Sequence, residues 1–138
     1  MAFNLKYSAA LKNAQQDAIT VKAGASCTIG IYSGAQPTNP DTALGAQVLL
    51  CTLTGNATFA GASAASVLTL NAITGGTGTA GAGAGTVATW FRISNATGPV
   101  AHIDGTVGIS GSDLNINNTN IATGQAVSVT SWTFTNAQ

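Results

Sequence analysis

Glutamate is absent from this chain, and charged side chains of every kind make up 6% of its 138 residues. An ordinary soluble domain carries roughly 25%. The acids are Asp17, Asp41, Asp104 and Asp113, the bases are Lys6, Lys12, Lys22 and Arg92, and the formal net charge is zero. Such scarcity excludes much. Four scattered aspartates are a poor source for the paired carboxylates of a glycosidase. Residues 1–22 hold three Lys and one Asp, a balance of +2, and residues 23–138 hold one Arg and three Asp, a balance of −2. Three spaced lysines without interleaved aromatics do not make a nucleic-acid surface. Apolar residues reach 45%, whereas disordered chains combine low hydrophobicity with high charge. No apolar run is long enough to cross a bilayer. Met1-Ala2-Phe3-Asn4-Leu5-Lys6 passes into polar residues rather than the apolar core of a signal peptide, so synthesis in the cytosol without membrane contact is expected. The two cysteines, Cys27 and Cys51, lie in apolar strand-like runs. Without His or Cys companions they cannot complete a zinc site, and buried free thiols are expected. No cofactor is implied.

What remains is a surface of Thr, Ser, Asn, Gly and Ala. A neutral surface of that kind resists self-association weakly and suits a component of an assembly. At this length one domain suffices, burying roughly two-thirds of the unfolded surface. The segment Leu5–Lys22 predicts the one helix, with Asn4 placed to cap it and a thin apolar stripe at Tyr7, Ala10, Leu11, Ala14 and Ala18. The branched run Ile19-Thr20-Val21 and then Gly24 should end it. An isolated helix of this size is marginal in water, so it needs a packing surface. Residues 1–24 therefore read as a helical arm and residues 25–138 as a single β-sandwich domain.

The densest stretch is Val87–Ile109, VATWFRISNATGPVAHIDGTVGI. It predicts two strands joined at Asn95-Ala96-Thr97-Gly98, with Pro99 fixing its own φ where the second begins. In the second arm Ala101, Ile103, Val107 and Ile109 share one face, and His102, Asp104 and Thr106 the other. In the first, Val87, Phe91 and Ile93 alternate with Trp90, Arg92 and Ser94. That second face is bulky too, so something other than bulk water should cover it. Further strands are expected over Cys27–Tyr32, Gln47–Thr54, Ser66–Ile73, Asp113–Asn117 and Ala126–Thr135. Gln47–Thr54 is apolar on both faces and predicts a central strand. In Ala126–Thr135 the apolar set slips from Val127 and Val129 to Trp132 and Phe134, which implies a bulge or a change of environment. Short Thr- and Val-rich strands at this spacing predict an all-β antiparallel sandwich.

Motifs with chemical content are few. Gly76, Gly78 and Gly81 satisfy the glycine pattern of dinucleotide-binding loops, but a strand follows where that motif needs a helix. A Gly/Ala segment pressed against a neighbour, or a mobile loop, explains the tract better. His102 and Asp104 project from one strand face, with Ser110 and Ser112 nearby, yet neither an oxyanion site nor a pocket accompanies them. No catalytic residue is therefore assigned and the chain is not expected to be an enzyme. The sequons at Asn56, Asn95 and Asn117 have no meaning without secretion. Trp90, Trp132, Tyr32 and Phe134 suit a core or an interface better than a sugar-binding platform.

The order of segments carries a resemblance. An N-terminal Ala/Leu helix leads to Ile31-Tyr32-Ser33-Gly34 and a Pro-bearing loop. Then come Val48-Leu49-Leu50, a Gly/Thr/Ala tract and Trp90-Phe91-Arg92-Ile93. Ile103-Asp104-Gly105-Thr106-Val107-Gly108, Asp113-Leu114-Asn115, Val127-Ser128-Val129 and Trp132-Thr133-Phe134 follow. Over nearly its whole length the chain resembles the capsid cement (decoration) proteins of short-tailed bacteriophages such as those of Bordetella. The resemblance implies a jelly-roll sandwich, a homodimer on the outer surface of the icosahedral head, and the major capsid protein as partner. It implies no catalytic residue, cofactor, metal, nucleic acid, membrane or small-molecule substrate. Leu5, Tyr7 and Leu11 of the arm, with Trp90, Arg92 and Trp132, are the expected interface residues. A tail or fibre subunit is the alternative, and a carbohydrate-binding module a more distant one.

Overall fold

The computed structural model describes residues 4–98, 100–130 and 132–136. It is mostly β, with one α-helix, α1 (Ala9–Ala23), ahead of all the strands. The strands are β1 (Thr28–Ser33), β2 (Val48–Thr54), β3 (Val67–Thr69), β4 (Gly76–Thr77), β5 (Thr86–Val87) and β6 (Trp90–Ser94). They continue as β7 (Ala101–Gly108), β8 (Leu114–Asn115), β9 (Asn120–Ile121), β10 (Ala126–Val127) and β11 (Thr133–Thr135). A 3-10 turn spans Ala80–Ala82.

Five strands form one sheet in the order β2-β1-β6-β7-β8, antiparallel except for the parallel pair β7–β8. Three two-stranded ladders, β4–β10, β3–β11 and β5–β9, complete the β structure. The inner face of the large sheet presents Ile29, Ile31, Leu53, Phe91 and Ile93 to a core that also holds Phe59, Leu68 and Trp132. Phe91 meets Trp132 edge-on at 5.0 Å between ring centroids, and Trp132 meets Phe134 in the same manner at 5.2 Å. Burying rings of this size supplies a large share of a small core's stability.

Several expectations change. β2 is the end strand of its sheet rather than a central one, and Thr52 and Thr54 are exposed. The register slips where Ile31 pairs with Cys51 but Tyr32 pairs with Leu49. Leu50 is the extra residue of that bulge, and it turns inward beside Cys51, so both neighbours are fully buried. That local turn, not a second covered face, explains the continuous apolar run. The outer edge of β2 is closed by bridges from Cys51 to Gly78 and from Thr54 to Thr74.

The last strand is divided, so of the two readings of its slip the change of environment holds. Val127 in β10 pairs with Gly76, Val129 bridges Ile116, and Phe134 in β11 pairs with Leu68. The phase slip therefore marks a change of partner between two small ladders. Ser131 lies outside the described residues, as does Pro99 of the hairpin turn. In that turn the Asn95 side-chain oxygen accepts the Val100 N–H at 2.8 Å. Ile109 falls beyond the end of β7 and is 68% exposed rather than sharing the buried face.

The glycine tract is structural. A Cβ on Gly76 would strike the Thr52 carbonyl, and one on Gly78 would strike that of Ala122. Only a hydrogen side chain lets β4 run this close to both neighbours.

Helix α1 begins later than its composition suggests. Ser8, not Asn4, caps it, its hydroxyl accepting the Leu11 N–H at 3.2 Å. The branched residues 19–21 stay helical, and Gly24 with φ of +71° ends the element.

Candidate functional site

Two regions carry the side chains that sequence reasoning singled out. The first is the outer face of the large sheet. Across β1, β6 and β7 the register sets Gly30 beside Arg92 beside Asp104, and Tyr32 beside Trp90 beside Thr106. Glycine at position 30 leaves room for the Tyr32 ring, which lies across it. Tyr32 stacks on Trp90 at 4.6 Å with the planes 15° apart, and the Arg92 guanidinium sits 5.5 Å from the Trp90 centroid.

Arg92 and Asp104 form a two-pronged ion pair, Nε to Oδ1 at 2.7 Å and Nη2 to Oδ2 at 2.7 Å, with both side chains buried. The loop between β1 and β2 closes over them. The Arg92 guanidinium donates from Nη1 to the Thr42 carbonyl at 3.0 Å and from Nη2 to the Asn39 carbonyl at 3.4 Å. Hydrogen bonding to Asp104 holds the guanidinium pKa above its ordinary value, and two further N–H groups donate to the loop. Burial pushes the Tyr32 phenol up, partly opposed by Arg92. The bulky second face of β6 is thus covered by the chain's own proline-bearing loop. No sequence pattern marks backbone carbonyls as acceptors, so this partnership is invisible before the fold is known.

Arg92 engages both oxygens of Asp104, and among the described residues no hydrogen bond joins His102 to that carboxylate. His102 lines a groove of about 290 Å³ with Ile103 and, from α1, Gln15, Ala18, Ile19 and Lys22. Ser112 instead sits in the turn before β8, its N–H donating to Asn115 Oδ1 at 3.3 Å. The fold does not assemble these residues into a triad. Cys27 and Cys51 are free and buried, and desolvation raises both thiol pKa values. Among the described residues no three His, Cys, Asp or Glu side chains cluster closely enough to hold a metal. Nor is any helix among them long and apolar enough to cross a membrane.

The second region is α1, whose docked side combines Ala23 and Ile19, which meet the core, with three polar side chains. Gln16 is 5% exposed, and its Nε2 donates to the carbonyls of Phe134 at 2.9 Å and Ser66 at 3.3 Å. Asn13 Oδ1 accepts the Ser66 N–H at 3.0 Å, and Asp17 Oδ1 accepts the Ser63 N–H at 2.7 Å. These bonds hold a turn in which Ala65 and Ser66 have φ of +50° and +65°, a region that non-glycine residues seldom occupy. The apolar stripe therefore points away from the body. Leu11 is 47% and Val21 78% exposed, with Ala10, Ala14 and Ala18 exposed on the same side.

Of the six expected interface residues, Leu5 and Leu11 are exposed and Tyr7 is half-buried. Trp90, Arg92 and Trp132 are buried within the chain itself. No protein-family model, no curated protein and no solved structure matches the chain.

Proposed function

We propose that the chain is a structural subunit of a bacteriophage particle, a capsid cement protein that sits as a two-fold dimer on the outside of an icosahedral head. There it stabilises contacts between capsomers, with the major capsid protein as its partner. The jelly-roll form of the sandwich belongs to the same proposal. The observation that supports it is the state of the surface. Arg92 and Asp104 neutralise one another in the interior, which leaves six of the eight charged side chains to cover the outside. Over that surface Leu5, Val21, Val87, Val100 and Ile109 are each more than half exposed. Single exposed apolar residues are ordinary; apolar residues without charges to keep copies apart favour permanent association. A tail or fibre subunit would share this surface. A sugar-binding module draws less support, because Trp90 and Trp132 are buried and Tyr32 is stacked on Trp90.

Attachment through such a surface must rest on apolar contact and on hydrogen bonds from Thr and Asn. The test is co-sedimentation with purified phage heads. Washing in about 1 M NaCl, where the Debye length is about 3 Å, should leave the protein bound, and moderate urea should release it. Release by salt alone would show that Lys6, Lys12 and Lys22 govern attachment. A chain that never co-sediments with heads, yet labels a glycan array, would replace the proposal with the carbohydrate-binding reading.

A further inference from the structure

We infer that the outward face of α1 is a self-recognition seam, which pairs in parallel with the same helix of a second copy. Leu11, Ala14, Ala18 and Val21 are all exposed and recur at intervals of three and four residues, the spacing of the a and d positions of a coiled coil. Ala9, Gln16 and Ala23 then occupy the f positions, diametrically opposite the seam. Gln16 and Ala23 are the buried residues of the helix, so the seam lies on the side of the helix opposite them, with Ala18 at the rim of the groove beside β7. Ala14 and Ala18 at its middle allow close approach, and Leu11 and Val21 close its two ends.

Charge selects both the occupant and its direction. In this register Asp17 is a g position and Lys22 an e position, five residues apart. In a parallel pair, that offset sets Asp17 of each copy against Lys22 of the other, giving two symmetric ion pairs at the flanks. An antiparallel pair would instead bring the two copies of Asp17 together, like charge against like. Lys22 and Ala18 also line the groove of about 290 Å³ that His102 and Ile103 bound from β7, so a partner helix laid on the seam extends into an open trough. The inference rests on the self-association named above and is independent of attachment to a shell.

The test uses the full chain. Sedimentation velocity of the wild type should show a dimer, and L11K/V21K should raise its dissociation constant by roughly tenfold or more. Both side chains are exposed, so the circular dichroism of that variant should be unchanged. K22D, which sets like charges against Asp17, should weaken the dimer less, and more so at low salt. Mild oxidation should cross-link A18C to itself, whereas an antiparallel pair would cross-link only a mixture of A14C and A18C. A wild type that remains monomeric at high micromolar concentration overturns both the seam and the self-association. A dimer that survives L11K/V21K overturns the seam alone, and the mixed cross-link without the A18C homodimer overturns its direction.

Discussion

The outer face of β6 and the outer face of α1 pose the same question in sequence, the first a bulky face and the second a thin apolar stripe, each in need of a cover. The fold treats them in opposite ways. Arg92 is drawn under the loop between β1 and β2 and Trp90 is buried against Tyr32, while Leu11 and Val21 of α1 are left open. The difference lies in which nearby backbone groups need partners. The loop offers the Asn39 and Thr42 carbonyls to a guanidinium rich in donors. The turn at Ser63–Ser66 offers N–H groups and a carbonyl, which Asn13, Gln16 and Asp17 satisfy. A buried polar group left unpaired costs more than an exposed leucine, and that ordering places Asn13, Gln16 and Asp17 at the turn beside the apolar contacts of Ile19 and Ala23.

The largest effect that would break the comparison is at the ion pair. Arg92→Ala or Asp104→Ala leaves one buried charge without its partner, a loss of about 3–5 kcal/mol by the usual behaviour of such pairs. Urea unfolding should show it as a lower midpoint with little change in slope. The double variant R92L/D104L removes both charges and should recover much of the loss. A single variant within about 0.5 kcal/mol of wild type would mean that the loop opens readily and the pair is solvated.

The next effect reverses the rule for an amphipathic helix. Gln16→Ala strands the Phe134 and Ser66 carbonyls and releases the strained turn, costing about 1–3 kcal/mol. Leu11→Ser removes a side chain that already meets solvent and should change monomer stability by about 0.5 kcal/mol or less. Thermal or urea melts of the two variants, at concentrations low enough to avoid association, decide it. Equal losses would show that the stripe packs inward.

How much of this was legible from the residues depends on the kind of signal. The period-two pattern over residues 87–109 located β6 and β7 and set Phe91, Ile93, Ile103 and Val107 inward, because alternation dictates facing in a strand, but it also put Val87 and Ile109 on that face; Val87 belongs to β5, Ile109 lies past β7, and both are exposed. Glycine at 76 and 78 was legible as close approach, since nothing else removes a Cβ. The burial of Cys27 and Cys51 followed from their apolar neighbours. The orientation of α1 was hidden, because its partners are backbone groups of a turn 46 or more residues away, and any sequence can supply those. The edge position of β2 was masked by the bulge at Leu50, which mimics a strand buried on both faces. The pairing of Arg92 with Asp104 needed the register of β6 against β7, which the hairpin turn sets and composition does not.

The smallest effect concerns a charge that is held without being buried. Asp113 is exposed, yet its Oδ2 accepts from the Thr106 N–H at 2.9 Å and the Thr106 hydroxyl at 2.8 Å. The backbone bond first, and the hydroxyl second, lower its pKa below the ordinary aspartate value. A carboxyl whose folded pKa is depressed contributes stability that is fully present above its unfolded value of about 3.9 and fades as pH falls through the folded one. Acid should therefore loosen the connection between β7 and β8, where Asp113 ties the turn to the strand. The helix dock retains its bonds from Gln16 and Asn13, whose amides do not titrate, beside the one that the Asp17 carboxylate accepts. Hydrogen exchange at pH 5 and at about pH 3 should show Thr106 and its neighbours losing protection ahead of the amides of α1. In Asp113→Asn the acid-dependent part of that loss should shrink. If wild type and D113N lose protection at Thr106 equally on acidification, the carboxylate is not what fastens the turn.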